Sequence, residues 1–206
     1  MIKTTVFGIA GLALSVAAFS APVSATVAAC TSGISVDSFT SCDIGDKRFT
    51  YVGDSLASSA TLSFSIVGST YILDINGINL TDGTALFAYT VQVLDPNYFI
   101  SSISVDSNVQ PQPPQVPGGS TVTKKVYDVE ANQLGTIVST NGSVAVLSGL
   151  NETYLIVNEL FNATEDQVIQ SASNAITQTH VPAPAALGLL GLGLIGLGAA
   201  ARRRKA

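Results

Sequence analysis

The sequence has no tryptophan, one histidine and two cysteines among its 206 residues. One histidine and two cysteines cannot supply the usual ligand sets of a catalytic or structural zinc site. A serine or cysteine nucleophile would have only His180 to act as its base. We therefore expect no metal site, no cofactor and no catalytic constellation, and we predict that the protein is not an enzyme.

Basic residues are scarce in the central part of the chain. Of nine Lys and Arg residues, only Lys47, Arg48, Lys124 and Lys125 lie between the two ends. All fourteen acidic residues lie in that part, which gives it a net charge of −10 against −5 for the whole chain. A surface this acidic repels the phosphate backbone, so nucleic acid is excluded as a partner.

Residues 1–25 have the composition of a secretory signal peptide. Lys3 precedes an apolar stretch over residues 6–19, and the segment ends in the small residues Ser24 and Ala25. Signal peptidase requires small residues at that point. We predict cleavage after Ala25 and export to an oxidising compartment.

Cys30 and Cys42 follow shortly after the expected cleavage site. In an exported chain the pair predicts a disulfide, which for so short a loop would stabilise the fold by about 3 kcal/mol. Lipid modification of Cys30 is an alternative, because residues 27–30 loosely fit a lipoprotein signal. Pro22 and several small residues separate Cys30 from the apolar stretch, which favours the disulfide.

Residues 26–178 are predicted to form one all-β body. Short β-branched and aromatic segments are separated by Gly, Asn, Asp and Ser, and helical periodicity is weak. This pattern is typical of an antiparallel β-sandwich or a jelly-roll-like fold. Segment 165–178 also fits a short helix, although we favour a strand. The other predicted strands lie within 60–69, 71–75, 78–80, 86–94, 98–105, 121–129, 134–140, 143–149 and 153–161.

The connections are predicted from Asn-Gly pairs and prolines. Asn76-Gly77 fits a two-residue hairpin turn that would place Ile75 opposite Ile78. Asn141-Gly142 is expected to join the strands on either side of it. Residues 109–119 contain four prolines and no apolar period, which predicts an extended surface loop within a single domain.

Two short motifs point to other chemistry. Gly53-Asp54-Ser55-Leu56 spells the signature of GDSL esterases, so a secreted serine esterase using Ser55 is an alternative function. The required base would be His180, which is poorly placed beside the tail. The segment 74–83 resembles a calcium loop, but Ile78 occupies a position that needs an oxygen ligand.

Residues 179–206 form a tail of three parts. A proline motif precedes the uncharged run 185–201, which as a helix would span about 25 Å against a hydrocarbon core of about 30 Å. A basic cluster after a membrane span stays in the cytoplasm, so we predict a single transmembrane helix with the body outside. The proline motif is Val181, Pro182, Ala183 and Pro184, and the basic cluster is Arg202, Arg203, Arg204 and Lys205.

This order of parts resembles the PEP-CTERM sorting signal of exopolysaccharide-producing Gram-negative bacteria, with Ala183 where the family has Glu. The resemblance implies recognition by an exosortase, a membrane transpeptidase, after transient anchoring in the inner membrane. It implies delivery to the cell surface or extracellular matrix, with exopolysaccharide as a candidate partner. The expected role is structural, adhesive or glycan-contacting, with tyrosines available to stack on sugars. A permanently membrane-anchored surface protein is the remaining alternative.

Overall fold

The computed structural model describes residues 27–111, 119–164 and 167–181, which form twelve β-strands and a short 3-10 helix, Val36–Ser38. The strands are β1 Ile34–Ser35, β2 Ser41–Ile44, β3 Lys47–Asp54, β4 Thr61–Val67, β5 Thr70–Leu80, β6 Gly83–Val93, β7 Tyr98–Pro111, β8 Thr121–Tyr127, β9 Gln133–Thr140, β10 Ala145–Glu152, β11 Tyr154–Ala163 and β12 Gln167–His180.

The strands form two six-stranded sheets packed face to face. Sheet A has the order β2-β3-β6-β11-β8-β9, and sheet B has the order β1-β4-β5-β12-β7-β10. Neighbouring strands are antiparallel throughout both sheets. The prediction of an all-β antiparallel sandwich is therefore confirmed. The segment around 167–178, for which a short helix was the alternative, is strand β12.

Alternation along the strands explains the core. In β4, Leu62 and Phe64 are buried while the residues between them are less so, because successive side chains of a strand point to opposite faces. The same period repeats in β11, where Leu155 and Val157 are buried. Aromatic rings from both sheets meet between them, and Phe49 of sheet A lies edge-on to Phe64 of sheet B with centroids 5.2 Å apart.

The predicted hairpin at Asn76-Gly77 is wrong. Strand β5 runs without interruption from Thr70 to Leu80, and its hairpin partner is β4, through a turn at Gly68. Gly77 and Asn79 do have positive φ angles, of 70° and 50°. They serve a bulge in β5, where the register with β12 shifts, instead of a turn. The Asn76-Gly77 pair therefore indicated the positive φ of Gly77 correctly, but Asn76 has no positive φ and the element is a strand instead of a turn.

The second Asn-Gly pair forms the predicted turn. Asn141 and Gly142 have φ angles of 52° and 81°, and the Ser143 N–H donates to the Thr140 carbonyl at 3.1 Å. This turn joins β9 to β10, as expected. It also carries the chain from sheet A to sheet B, so the two strands are not a paired hairpin.

The limits of the predicted loop and tail are partly revised. Strand β7 continues to Pro111, so residues 109–111 of the predicted loop are strand. Strand β12 continues to His180, two residues beyond the predicted end of the body. The signal peptide with its cleavage site at Ala25, the rest of the loop, and residues 182–206 with the transmembrane run lie outside the described residues. Within the described ranges, none of the helical segments has the length and apolar character needed to cross a bilayer.

Candidate functional site

The predicted disulfide is present at the N-terminal edge of the body. Cys30 and Cys42 are bonded, with their Cα atoms 4.8 Å apart. Backbone hydrogen bonds join the same segments, because the Cys30 N–H donates to the Asp43 carbonyl and the Asp43 N–H donates to Ala28, both at 2.9 Å. Residues 28–30 are thus fixed to edge strand β2. The bond also engages the Cys30 sulfur that lipid modification would need.

Strand β12 leads directly into the proline motif. It lies inside sheet B, between β5 and β7, and ends at His180. The His180 ring contacts Tyr98 edge-on with centroids 5.1 Å apart, and the Val181 N–H donates to the Asn97 carbonyl at 2.7 Å. Val181 is therefore held by the body, and Pro182 is the next residue.

The four cations of the body occupy different environments. Lys47 and Lys124 are fully buried, and Arg48 forms a two-point ion pair with Asp43 at 2.8 and 2.9 Å. This pairing lowers the pKa of the Asp43 carboxyl. Lys125 is exposed and takes part in none of the ion pairs among the described residues. Because each buried lysine is paired with an acidic side chain, the accessible surface stays as acidic as the composition indicates.

Lys124 lies at the centre of the sandwich in an enclosed polar cluster. Its Nζ lies 3.3 Å from Glu159 Oε1, and it donates to the Ser104 carbonyl at 2.6 Å and to the Asn174 side chain. Tyr89 donates to the same Glu159 oxygen at 3.2 Å. Burial lowers the pKa of Lys124 and raises that of Tyr89 well above its usual value. We call these residues the central quartet: Lys124, Glu159, Tyr89 and Asn174.

Lys47 lies in a similar cluster beside the end of β12. Its Nζ lies 2.8 Å from Asp46 Oδ1 and 4.5 Å from the centroid of the Tyr71 ring, and it donates to the Gln178 side chain. Tyr71 donates to the same Asp46 oxygen. Burial and this hydrogen bond raise the pKa of Tyr71 to about 12, and burial lowers the pKa of Lys47. We call these residues the terminal quartet: Lys47, Asp46, Tyr71 and Gln178.

Ser55 and His180 lie at opposite ends of the sandwich. The Ser55 N–H donates to the Leu86 carbonyl and its Oγ accepts from the Leu86 N–H, both at 2.8 Å, so Ser55 lies at the start of β6. His180 lies beyond the other end of that strand, beside Tyr98. About seven residues of β6 correspond to roughly 20 Å. The arrangement does not bring the serine hydroxyl and the imidazole together.

The segment 74–83 does not form a calcium loop. Asp74 lies within β5, paired with β4 and β12, while Asp82 lies in the turn before β6. Asn79 and Asp82 line an open cleft of about 320 Å³ together with Ser55. In the part of the chain that the structure describes, three or more His, Cys, Asp or Glu side chains do not gather into a metal-binding group.

A second cleft lies on the outer face of sheet A. It has a volume of about 230 Å³ and crosses β6, β11 and β8. Lys125 of β8 lies directly opposite Asn158 of β11 in register, and Leu160 lies opposite both Leu86 and Thr123. We call this the outer cleft; its lining residues are Leu86, Thr123, Lys125, Tyr127, Asn158 and Leu160.

The C-terminal segment identifies how the chain is sorted. Residues 180–205 match the family model of the PEP-CTERM protein-sorting motif. The chain carries a PEP-CTERM sorting motif. It is therefore an exported protein with a C-terminal membrane-associated sorting signal, of the kind that exosortases process. The matched PEP-CTERM motif begins at His180, which is the last residue of β12. The motif therefore follows the sandwich directly, without a spacer.

Several solved structures are weakly similar to the chain. A glycosylation-associated protein complex from Streptococcus agalactiae is 12% identical over 56% of this chain and 39% of its own length, with a TM-score of 0.33. Accessory secretory proteins of Streptococcus pneumoniae are 10% identical over 58% and 86%, with a TM-score of 0.30. A family 29 carbohydrate-binding module solved with mannohexaose is 13% identical over 75% and 92%, with a TM-score of 0.28. The chain thus spans about two fifths of the first of these, and we infer no function from such TM-scores. No curated protein matches the sequence.

The PEP-CTERM tail was visible in the sequence, whereas the two quartets and the outer cleft were not. The pattern TVTKKVY in β8 does carry a signal, because alternation puts Val122, Lys124 and Val126 on the buried face. The same alternation puts Lys125 and Tyr127 together on the outer face. Asn158 lies opposite Lys125 and Glu159 lies opposite Lys124, both from β11, and the sequence does not show that β11 pairs with β8.

Proposed function

We propose that this PEP-CTERM protein is delivered to the surface or exopolysaccharide matrix of a Gram-negative bacterium, where its sandwich has a non-enzymatic structural, adhesive or glycan-contacting role. Signal peptidase would remove residues 1–25 and an exosortase would process the tail. The observation that carries this proposal is the junction at His180: the last core strand is complete where the sorting motif begins. Removal of the tail would therefore leave all twelve described strands in place.

The fate of the tail is tested by the intact mass of the protein recovered outside native cells, with its C-terminal peptide identified. We expect residues 187–206 to be missing while Cys30 and Cys42 remain linked. A variant with Pro182→Ala and Pro184→Ala is the matched control, because it changes the recognition motif and leaves the body unaltered. Recovery of the wild-type protein with Arg202 to Lys205 still attached would make it a permanently anchored protein and end the sorting proposal.

The outer cleft is the surface that best fits a glycan-contacting role. Tyr127 offers an aromatic face, Asn158 and Thr123 offer hydrogen-bonding groups, and the leucines of the floor are 39% and 44% exposed. Sugar binding sites combine such apolar and polar groups. Lys125 adds a positive charge on a body whose net charge is −10. Because the rest of this acidic body repels a polyanion, an acidic sugar that binds the outer cleft would bind at Lys125.

Affinity electrophoresis of the protein in gels with polygalacturonate or with neutral dextran tests this surface. We expect Lys125→Gln and Tyr127→Ala each to weaken binding to polygalacturonate about tenfold, equivalent to about 1.4 kcal/mol. Val146→Ala is the control, because Val146 is 57% exposed on β10 of the other sheet. Equal retardation of all three variants and the wild type would remove the outer cleft from the proposal without affecting the sorting step.

A further inference from the structure

The distance between the sandwich and the apolar run of the tail is short. Val181 is hydrogen-bonded to Asn97 of the body, and only residues 182–184 separate it from Ala185, where the uncharged run begins. Four Cα–Cα steps span at most about 14 Å. The interfacial layer of a bilayer is about 5–8 Å thick on each side. A tail that spans the membrane therefore holds this end of the sandwich against the headgroups.

The loops at this end include the β2–β3, β4–β5, β6–β7 and β8–β9 connections, and we call these loops with the strand ends beside them the C-terminal end. The Leu94 N–H donates to the Asp46 carbonyl at 2.7 Å, which joins two of these connections. The Gln178 N–H donates to the Ser69 carbonyl at 3.1 Å, which joins the β4–β5 turn to β12. The connection after Tyr127 lies at the same end, because Tyr127 pairs with Ile156 near the start of β11.

The C-terminal end exposes several large apolar side chains. Ile66 and Val67 at the end of β4, and Leu94 and Val129 in the loops, are exposed by 42%, 65%, 40% and 60%. The opposite end also has exposed apolar side chains, among them Val144 and Val146, but the short connection to the tail holds the C-terminal end nearer to the bilayer. The free energy of apolar side chains held against the headgroups falls when they move from water into the region between headgroups and acyl chains.

The charges at the C-terminal end restrict the kind of lipid. Asp95, Asp128 and Glu130 lie in its loops, whereas Lys47 is buried between the sheets and Arg48 is paired with Asp43. Anionic headgroups would be repelled by these carboxylates, and zwitterionic headgroups would not.

We propose that the tethered sandwich docks its C-terminal end on a zwitterionic lipid surface through Ile66, Val67, Leu94 and Val129. This inference rests on the proposed membrane insertion of the tail. The docked surface becomes free only when the tail is released.

The absence of tryptophan allows a direct test with single-tryptophan variants of the full chain. The variants are Val67→Trp and Leu94→Trp at the C-terminal end, Val144→Trp at the opposite end as the matched control, and Leu190→Trp in the tail as the reporter of insertion. Each is reconstituted in phosphatidylcholine vesicles with or without bromine on the acyl chains. We expect Val67→Trp and Leu94→Trp to have blue-shifted emission that bromolipid quenches to about half. Val144→Trp should be unaffected, and phosphatidylglycerol should reduce the quenching of Val67→Trp.

The outcomes separate the docking from the function on which it rests. Quenching of Leu190→Trp without quenching of Val67→Trp and Leu94→Trp would refute docking and leave the membrane tail intact. Equal quenching of Val67→Trp and Val144→Trp would show that the body has no preferred end at the membrane, which also overturns the inference. Failure to quench Leu190→Trp would refute tail insertion, and the docking proposal with it.

Discussion

Two clusters of the same four side-chain types connect the two sheets at different depths. Each consists of a buried lysine from sheet A, a carboxylate, a tyrosine and an amide from β12. In the central quartet both charged side chains are fully enclosed, whereas in the terminal quartet the Asp46 side chain is 18% exposed. The comparison shows how the contribution of an ion pair to stability differs between the centre of a core and its edge.

The difference in enclosure determines the consequence of breaking each pair. A buried charge that loses its partner has no water to replace it, so the penalty falls on the whole fold. A charge at the edge can be hydrated after a small local movement. The central quartet is therefore expected to fix how the sheets pack. The terminal quartet, which includes Gln178, is expected to hold the last residues of β12 in the sheet, next to the sorting motif.

The largest effect is expected for Glu159→Gln, which leaves Lys124 buried without its countercharge. The free energy of unfolding should fall by about 3–5 kcal/mol at pH 7, measured by equilibrium unfolding in urea with the disulfide intact. The pKa of Lys124 is already lowered by burial, and Glu159 opposes that shift. Without Glu159, Lys124 binds its proton more weakly in the folded state than in the unfolded state. The loss of unfolding free energy caused by Glu159→Gln should therefore become smaller as the pH rises towards 10.5.

The double variant Lys124→Met with Glu159→Leu is the control for that prediction. It removes both charges and keeps side-chain volume, so its stability should be close to that of the wild type or above it. If the double variant is as unstable as Glu159→Gln, packing instead of the unpaired charge explains the loss, and the enclosure argument is wrong.

The central quartet also shows what the sequence could reveal. Alternation in β8, β11 and β12 places Lys124, Glu159 and Asn174 on buried faces, so each burial was readable from its own strand. The sheet order that brings these side chains together was not readable, because pairing of β12 with β5 and β7 depends on contacts distant in sequence.

The sandwich class, most strands and the disulfide were predictable from local patterns and composition. The Asn76-Gly77 hairpin failed because a positive φ serves a bulge as well as a turn.

A smaller effect is expected for Lys47→Met in the terminal quartet. The loss should be about 1–2 kcal/mol, because Asp46 can be hydrated once its partner is gone. The change should be local, with faster amide exchange at Gln178 and Val181 and little change in the centre of sheet B. Hydrogen exchange with mass spectrometry resolves the two regions. A loss as large as that of Glu159→Gln would show that exposure of the carboxylate makes no difference.

The last effect is absent at pH 7 and is expected only at alkaline pH, where the two tyrosines titrate. The pKa of Tyr71 is raised to about 12, and burial raises that of Tyr89 well above its usual value. A tyrosine whose pKa is raised by folding contributes its full stabilisation below pH 10, which is the tyrosine pKa in the unfolded state. That contribution is lost as the pH rises through the tyrosine pKa of the folded state. The lowered pKa values of Lys47 and Lys124 act in the opposite direction up to about pH 10.5, so wild type and variant must be compared at each pH.

Tyr71→Phe should therefore make the decline of unfolding free energy between pH 10 and 12 less steep than in the wild type. Tyr89→Phe should do the same in the central quartet, since each change removes one group that must lose its proton on unfolding. Urea unfolding at half-unit steps across this range gives the two slopes. An unchanged slope in Tyr71→Phe with a reduced slope in Tyr89→Phe would mean that the terminal quartet opens to solvent before the fold is lost. The end of β12 beside the sorting motif would then be the first part of the sandwich to yield.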